Sequence, residues 1–499
     1  MAPRGTRSEG LSPSARAAVR VAARGNPLAL VAWAVDGQSE IPGQPPPLTE
    51  HLEASYLRRA MGMSHRVRDL LLLAAVDDAG DLAVLMQAAR RRRVTERDLA
   101  AAEERGLLTV AAGNVEFTHP LVRSAVYHNA TSTGRREAHL ALAAALNDIN
   151  PARAIWHRAA AAVAPAEDVA TELLGLGATA ARQGDTDLAA RAYARAAELT
   201  ADPSGRVSLL VDAAEASWEC GRPERAAELV VATAREAAQS RDHLTSIDHV
   251  RGLLEASTGS ALHGCDILLA GAERILDVAP TRAAAMVFDA MRVASVAGDM
   301  QRVAHAGQTA GRLMSSESHS AAAFFAAGIA ALLTGPGAGA VAELKEGLRS
   351  IRVTDDAEQL CMAATAAAFT GDFTRTHLLA SQAVTRCRET GALGHLAWAL
   401  EVLVVTQLEA APRQAEASAD EGLRAARETN QVASEANPPC HPCHGCRDAR
   451  RPAHYRQARR TGLRARPSPR PGLSRRPGYR CSRTTRAWPW PARGGSGPL

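Results

Sequence analysis

From residue 51 onward the apolar positions fall mostly at helical spacing. "LTEHLEASYLRRAM", "SHRVRDLLLLAAV", "GDLAVLMQAARRR" and "TERDLAAAEERG" each predict a short helix. The period then changes. Leu107–Val110 and Val115–Thr118 have strand character and flank Gly113-Asn114, a hairpin turn signal. A further helix is expected from Pro120. Asp77, Asp78 and Asp81 in "VDDAGD" read as the end of one helix and the cap of the next. Upstream, residues 11–36 read as one or two helices opening at Ser12-Pro13, and "DGQSEIPGQPPPLTE" reads as a Pro/Gly linker.

Helices that lead into a hairpin and back to a helix resemble a winged helix. Beyond residue 150 the pattern repeats. Small-residue helices turn at Gly184, Gly221, Gly298 and Gly371, and others near Gly259–Gly264 and Gly335–Gly339. The spacing is 37 from Gly184 to Gly221, 77 to Gly298, 39 to Gly337 and 34 to Gly371. A period near 34–40 with Ala at close-packing positions is a tetratricopeptide-like signature. The fold class expected is mainly α: a winged-helix unit (51–150), a tetratricopeptide-like α-solenoid (151–435) and a disordered Arg/Pro-rich tail (436–499). Residues 1–50 stand ahead of these.

Composition sharpens the picture. Aromatics are 3% of the 499 residues, which favours thin, closely packed helices. Tyr193, Trp218, Phe288, Phe324, Phe325 and Trp398 are the natural core or groove anchors, most of them expected in the core. The uncharged run "SAAAFFAAGIAALLTGPGAGAVA" is broken by Pro336 and reads as a buried helix pair, not a membrane span. Neither a secretory signal nor a cysteine pairing pattern is evident, so a cytoplasmic location with reduced thiols is expected.

The net charge of +5 hides a split: from Asn437 onward there are fifteen Arg, no Lys and one Asp, about +14, leaving about −9 (5 − 14) before it. Eleven prolines fall in the same stretch, with no apolar periodicity. Such text is expected of a GC-rich gene read out of frame. Two alternatives stand beside that reading. One is a zinc knuckle at Cys440, His441, Cys443, His444 and Cys446, whose second ligand pair would be only distant His454 and Cys481. The other is a basic arm for nucleic acid.

Several stretches carry a closer resemblance. "ARGNPLAL", "RRAMGMSHRVRDLLLLAAVDDAGDLAVL", "LAAAEERGLL", "VEFTHPLVRSAVYHNATSTGRREAHLALAAAL" and "IWHRAAAAVAPAEDVATELLGLGATAARQGDTDLAARAYARAAELT" occur in that order. They resemble the middle of the large LuxR-type transcriptional regulators, from about Leu11 to about Glu435. Those proteins join an ATP-binding switch domain of the STAND class to a winged helix, a tetratricopeptide-like sensor and a C-terminal helix-turn-helix. By resemblance, residues 1–50 would be a remnant of the ATPase lid helices plus a linker. The family's Gly-x-Pro motif matches Gly25-Asn26-Pro27, with Pro27 near the adenine. Its Phe-x-His-Pro-Leu-x-Arg stretch matches Phe117, His119, Pro120, Leu121 and Arg123. The resemblance implies that Gly25, Pro27, His119 and Arg123 are vestigial nucleotide contacts, with His119 reaching phosphate. The plainer reading gives His119 a backbone partner at a strand-to-helix junction.

The rest of a nucleotide pocket is not encoded. A P-loop needs Gly-x-x-x-x-Gly-Lys-Ser/Thr, and the one lysine, Lys345, lies in helical "AVAELKEGLRS". The expectation is that Met1 is an internal or misassigned start and that no cofactor is bound, ATP or ADP belonging to full-length relatives. The sequence also has no Gly-x-Ser-x-Gly elbow and no His-Glu-x-x-His helix, and its carboxylates mostly sit opposite arginines, so no enzyme is expected. Two functions are carried forward. The first is the winged helix and sensor solenoid of a LuxR-type regulator, taking a protein or small-molecule effector, with self-association among its interactions. DNA would be a partner only of full-length relatives, and no membrane partner is expected. The second is a free-standing helical-repeat scaffold for protein interaction.

Overall fold

The computed structural model describes residues 23, 60, 62–163, 165–237, 241–314, 320–335, 339–350, 356–429 and 431. Apart from Ala23, the expected elements at 11–36 lie outside them, as do the expected helix "LTEHLEASYLRRAM" apart from Ala60 and the tail from Asn437. The described residues are mainly helical, with one two-stranded sheet, and divide into two compact units.

The first unit takes residues up to 183 together with 187–213. It opens with α1 (His65–Val76), α2 (Leu82–Arg90) and α3 (Glu96–Glu104). Ser64 caps α1, Asp77 closes it, and Asp81 caps α2 through the Ala83 and Val84 amides, as the acidic loop predicts. Thr95 and Asp98 form a capping box on α3. A hairpin follows, β1 (Leu108–Ala111) and β2 (Asn114–Phe117), pairing Leu108 with Phe117 and Ala111 with Asn114. Its two-residue turn is Ala112-Gly113, with φ of 51° and 82°, not Gly113-Asn114 as the sequence suggests. Two successive positive φ values match the twist of a tight hairpin, and here an alanine accepts the first. Asn114 is thereby drawn into β2 and bridges to Asp81, while the Val115 amide donates to the Gly80 carbonyl at 2.7 Å. The hairpin is thus tied to the α1–α2 loop. Next come α4 (Pro120–Asn129), α5 (Ser132–Leu146) and α6 (Pro151–Ala161), which bury Leu70, Leu71, Leu73, Leu85, Leu142 and Leu146 in a common core. Helices α7 (Glu167–Gln183) and α8 (Thr186–Leu199) and the start of α9 (Pro203–Glu219) complete the unit. Buried Tyr193 of α8 presses on Gly177 of α7, where a Cβ would lie 2.7 Å from the ring.

The second unit takes residues 184–186 and the chain from Ala214. After the end of α9 come α10 (Pro223–Ala237), α11 (Arg241–Thr258), α12 (Ala261–Ile275), α13 (Pro280–Ala297), α14 (Met300–Met314), α15 (Ala321–Thr334), α16 (Ala340–Ser350), α17 (Ala357–Phe369), α18 (Phe373–Thr390), α19 (Leu393–Ala410) and α20 (Pro412–Glu428). Consecutive helices pack on one another through short turns. Gly221, Gly298 and Gly371 hold positive φ in such turns, at three of the repeat glycines legible in the sequence.

The helices sort into two layers. Odd-numbered α11, α13, α15, α17 and α19 touch in succession. Helix α13 is buried on nearly all sides between Ala283 and Ser295, and α17 from Leu360 through Phe369. Even-numbered α14 buries one stripe, Val303, Ala306, Ala310 and Leu313, and turns its remaining face outward. Small residues let the layers close: a Cβ on Gly264 of α12 would lie 2.4 Å from the Ala256 nitrogen of α11. Phe288 and Phe325 fill the core beneath, their centroids 6.5 Å apart. The long uncharged run forms α15 and α16, with Ala322, Ala323, Phe325 and Ile329 buried. Among the described residues no helix is long and apolar enough to cross a membrane.

Candidate functional site

Two of the four residues singled out by resemblance, Gly25 and Pro27, lie outside the described residues. His119 is the N-cap of α4, and its Nδ1 accepts the Leu121 amide at 3.2 Å. Burial lowers the His119 pKa, which favours the neutral, accepting ring. Arg123, one turn on, donates from Nε to the Ala75 carbonyl at 3.0 Å and braces α4 against α1. The fold therefore brings His119 and Arg123 onto the same turn and gives both backbone partners.

A different site is built in the second unit. The inner layer curls until α19 meets the end of α9. A Cβ on Gly394 would lie 2.5 Å from the Trp218 carbonyl oxygen, and Gln431 donates its side-chain amide to the Gly394 carbonyl at 2.9 Å. A half-open cavity of about 570 Å³ lies within this curl, walled by α9, α11, α13, α17 and α19. That volume suits a small organic ligand. Apolar wall is supplied by Trp218, Leu253, Ala285, Val293, Val296 and Trp398. Trp398 is fixed on three sides: its Nε1 donates to Thr365 Oγ1 at 3.2 Å, Phe288 lies 6.0 Å away, and the Arg292 guanidinium sits 4.8 Å above the ring.

The polar lining comes from helices distant in sequence. His249 Nε2 lies 3.0 Å from Asp289 Oδ2, with Arg292 Nε 3.7 Å from the other oxygen. Burial opposes charge on His249, but the Asp289 bond and charge, then Glu358 and Glu219, outweigh it and raise its pKa. Asp289 moves the opposite way, below the usual carboxylate range, because His249 and Arg292 overcome its burial. The two form an imidazolium–carboxylate pair. Arg282 pairs with Glu215. Glu219 and Glu358 make no hydrogen bond or ion pair among the described residues. Burial, then Glu358 and Asp356, push Glu219 up to about 8. Burial, then Asp289, push Glu358 up to about 7. His395 is held low, first by burial.

Counting His249 as charged and His395 as neutral, the lining carries three cations (Arg282, Arg292, His249) against five carboxyl groups (Glu215, Glu219, Asp289, Glu358, Glu401), or −2 if all ionise (3 − 5). The cavity can hold an apolar body and counter a positive charge. Sequence reading anticipates Trp218 and Trp398 but misses Glu219, His249, Asp289, Glu358 and His395. The available signal is a lone polar residue inside an Ala-rich inner helix, as in "VFDAMR" and "LGHLAW". The expectation that carboxylates sit opposite arginines holds for exposed Glu228, paired with Arg225 at 2.9 Å, and fails for Glu219 and Glu358.

A second buried polar pair lies in the first unit. His139 Nδ1 is 3.0 Å from His157 Nδ1, beside the Arg153–Asp77 ion pair. No group of three or more His, Cys, Asp or Glu among the described residues is placed to hold a metal; the tail Cys/His cluster lies outside them.

No protein-family model matches the chain, and no curated protein sequence does. Among solved structures it is similar to a Signal Transduction ATPase with Numerous Domains (STAND) protein with a tetratricopeptide repeat sensor, from Pyrococcus horikoshii. The identity is 11%, the match covers 86% of this chain and 72% of that one, and the TM-score is 0.32. A likeness that loose carries no functional argument; the site's own geometry does.

Proposed function

We propose that this chain is the sensing portion of a LuxR-type, ATP-dependent transcriptional regulator, binding a small-molecule effector inside its repeat unit. The observation that carries the reading is the cavity: it is walled by helices from α9 to α19, so an occupant would touch successive repeats at once. Occupancy would then bias how tightly the inner layer curls, which is the differential contact a switch needs. The ordered resemblance along the chain supplies the regulator class.

Within that proposal, residues 51–150 act as a winged helix. In support, α1–α3 precede a hairpin that bridges back to the α1–α2 loop at Asp81 and Asn114. The third helix of such a unit is the usual DNA reader, yet α3 exposes Glu96, Glu103 and Glu104. Acidic groups there oppose a phosphate backbone, so the proposed role is structural relay, with residues 151–435 as the sensor repeats. His119 and Arg123 would contact nucleotide only in a chain that also carries a P-loop. The chain itself is proposed to be neither an ATPase nor another enzyme, and to work in the cytoplasm.

The test is thermal shift of the full chain against a charge-grouped metabolite panel, run beside Ala285→Trp, which fills the cavity. Shifts present in the wild type and lost in the variant support a sensor. Identical responses from both proteins to every compound would sink it and leave the scaffold reading.

A further inference from the structure

We propose that the cavity's ligand is an organic cation, an amine on an apolar or aromatic body, seated between Trp218 and the carboxyl groups of Glu219 and Glu358. The inference rests on the sensor reading above and deepens it.

Three observations converge. The cavity has an apolar wall with two tryptophans, which suits a hydrophobic body and favours a cation near a ring face. Its charged lining is unbalanced toward carboxyl groups, while Arg282 is ion-paired with Glu215 and Arg292 lies over the Trp398 ring with its Nε 3.7 Å from Asp289, too far for a hydrogen bond. Glu219 and Glu358 face the space without an ion-pair partner among the described residues. Both residues are half-buried with their carboxyl groups open to the cavity, and a partly desolvated carboxyl without a counter-charge resists ionising. A bound ammonium group supplies the missing counter-charge and lets the carboxyls ionise, whereas a carboxylate ligand finds no counter-charge in them. A neutral ligand would gain only the apolar contacts.

The raised pKa values of the two carboxyls set a pH signature. Glu219 faces Glu358 and Asp356 of the α17 segment and His249 of α11. Glu358 faces Asp289, His249, Asp356 and Arg292. Both carboxyls hold protons in the empty cavity below pH 7, and the cation binds the ionised form. Binding therefore releases protons, and affinity rises from pH 6 to pH 8. The same raised values mean that Glu219 opposes folding increasingly from its unfolded range up to about 8. Glu219→Gln is thus expected to leave the melting temperature nearly unchanged at pH 4 and to raise it increasingly toward pH 8, while weakening the ligand.

The experiment is calorimetric titration of the full chain with three indole probes of one shape: tryptamine (cation), tryptophol (neutral) and indole-3-acetate (anion). Hexylamine, hexanol and hexanoate form a second series. The proposal expects the amine in at least one series to bind tenfold or more tighter than its alcohol, with the acid weakest. Glu219→Gln and Glu358→Gln should each weaken the amine at least fivefold and change the alcohol less than twofold. Equal or tighter binding of alcohol or acid, lost in Ala285→Trp, overturns the cation assignment and leaves the sensor cavity standing. No binding by any of the six probes at millimolar concentration overturns both.

Discussion

The Gln431 side-chain amide reaches the Gly394 carbonyl oxygen at 2.9 Å, and both residues line the cavity that this contact helps to close. Gly394 cannot carry a side chain there, because a Cβ would lie 2.5 Å from the Trp218 carbonyl oxygen. In a free helix Gly→Ala stabilises by roughly 0.5–1 kcal/mol. Here the clash with backbone reverses the sign. Gly394→Ala should lower stability by about 1–3 kcal/mol and weaken cavity ligands. Urea denaturation of the full chain decides it, since a variant as stable as the wild type would mean the curl is open.

The buried histidine pair sets an acid limit on the first unit. Burial, then His157 and Arg135, hold His139 at about 3, and burial lowers His157 as well. A histidine lowered on folding binds its proton mainly in the unfolded chain. Stability is therefore full above about pH 6.5 and is lost as pH falls below it. The loss from His139 alone should reach about 3 kcal/mol at pH 4.5. His139→Leu should flatten that slope between pH 6.5 and 4.5 in melting curves. An unchanged slope would remove the pair as its source.

His119 separates two roles by substitution. As an N-cap it should cost about 1 kcal/mol when replaced by Ala and only a few tenths when replaced by Asn, which also caps. Equal losses from both variants in denaturant titrations would show that the ring does something besides accept the Leu121 amide.

Nucleotide and operator binding are expected to be absent. The sequence has one lysine, Lys345, and no glycine loop ahead of it, and α3 exposes acid. The fifteen arginines from Asn437 onward should give DNA affinity without sequence preference that falls steeply with salt. Selection from random duplexes at 150 mM salt should enrich no consensus. An enriched motif, or ATP binding in the micromolar range, would expose an element missing from this account.

The repeat turns were legible because glycine is what a tight turn at positive φ selects, and Gly221, Gly298 and Gly371 all adopt it. The hairpin was legible to within a residue; Ala112 took the strained position that composition assigns to Asn or Gly, and the register moved with it. Helix layers were legible as Ala-rich text. The cavity was not. Glu219, His249, Asp289, Glu358 and His395 come from five segments, and only the curl of the inner layer brings them to one space. A one-dimensional pattern sees each as an isolated polar residue on an apolar helix. The two tryptophans stood out because aromatics are scarce, and their position inside a wall still required the fold.

Amide hydrogen exchange of the full chain, with and without saturating tryptamine at pH 8, tests the central claim most directly. Binding within the curl should slow exchange together in the end of α9, in α13 and in α19, while residues 62–163 stay unchanged. Protection confined to other segments, or none in those three, would contradict a ligand-sensing cavity in the repeat unit.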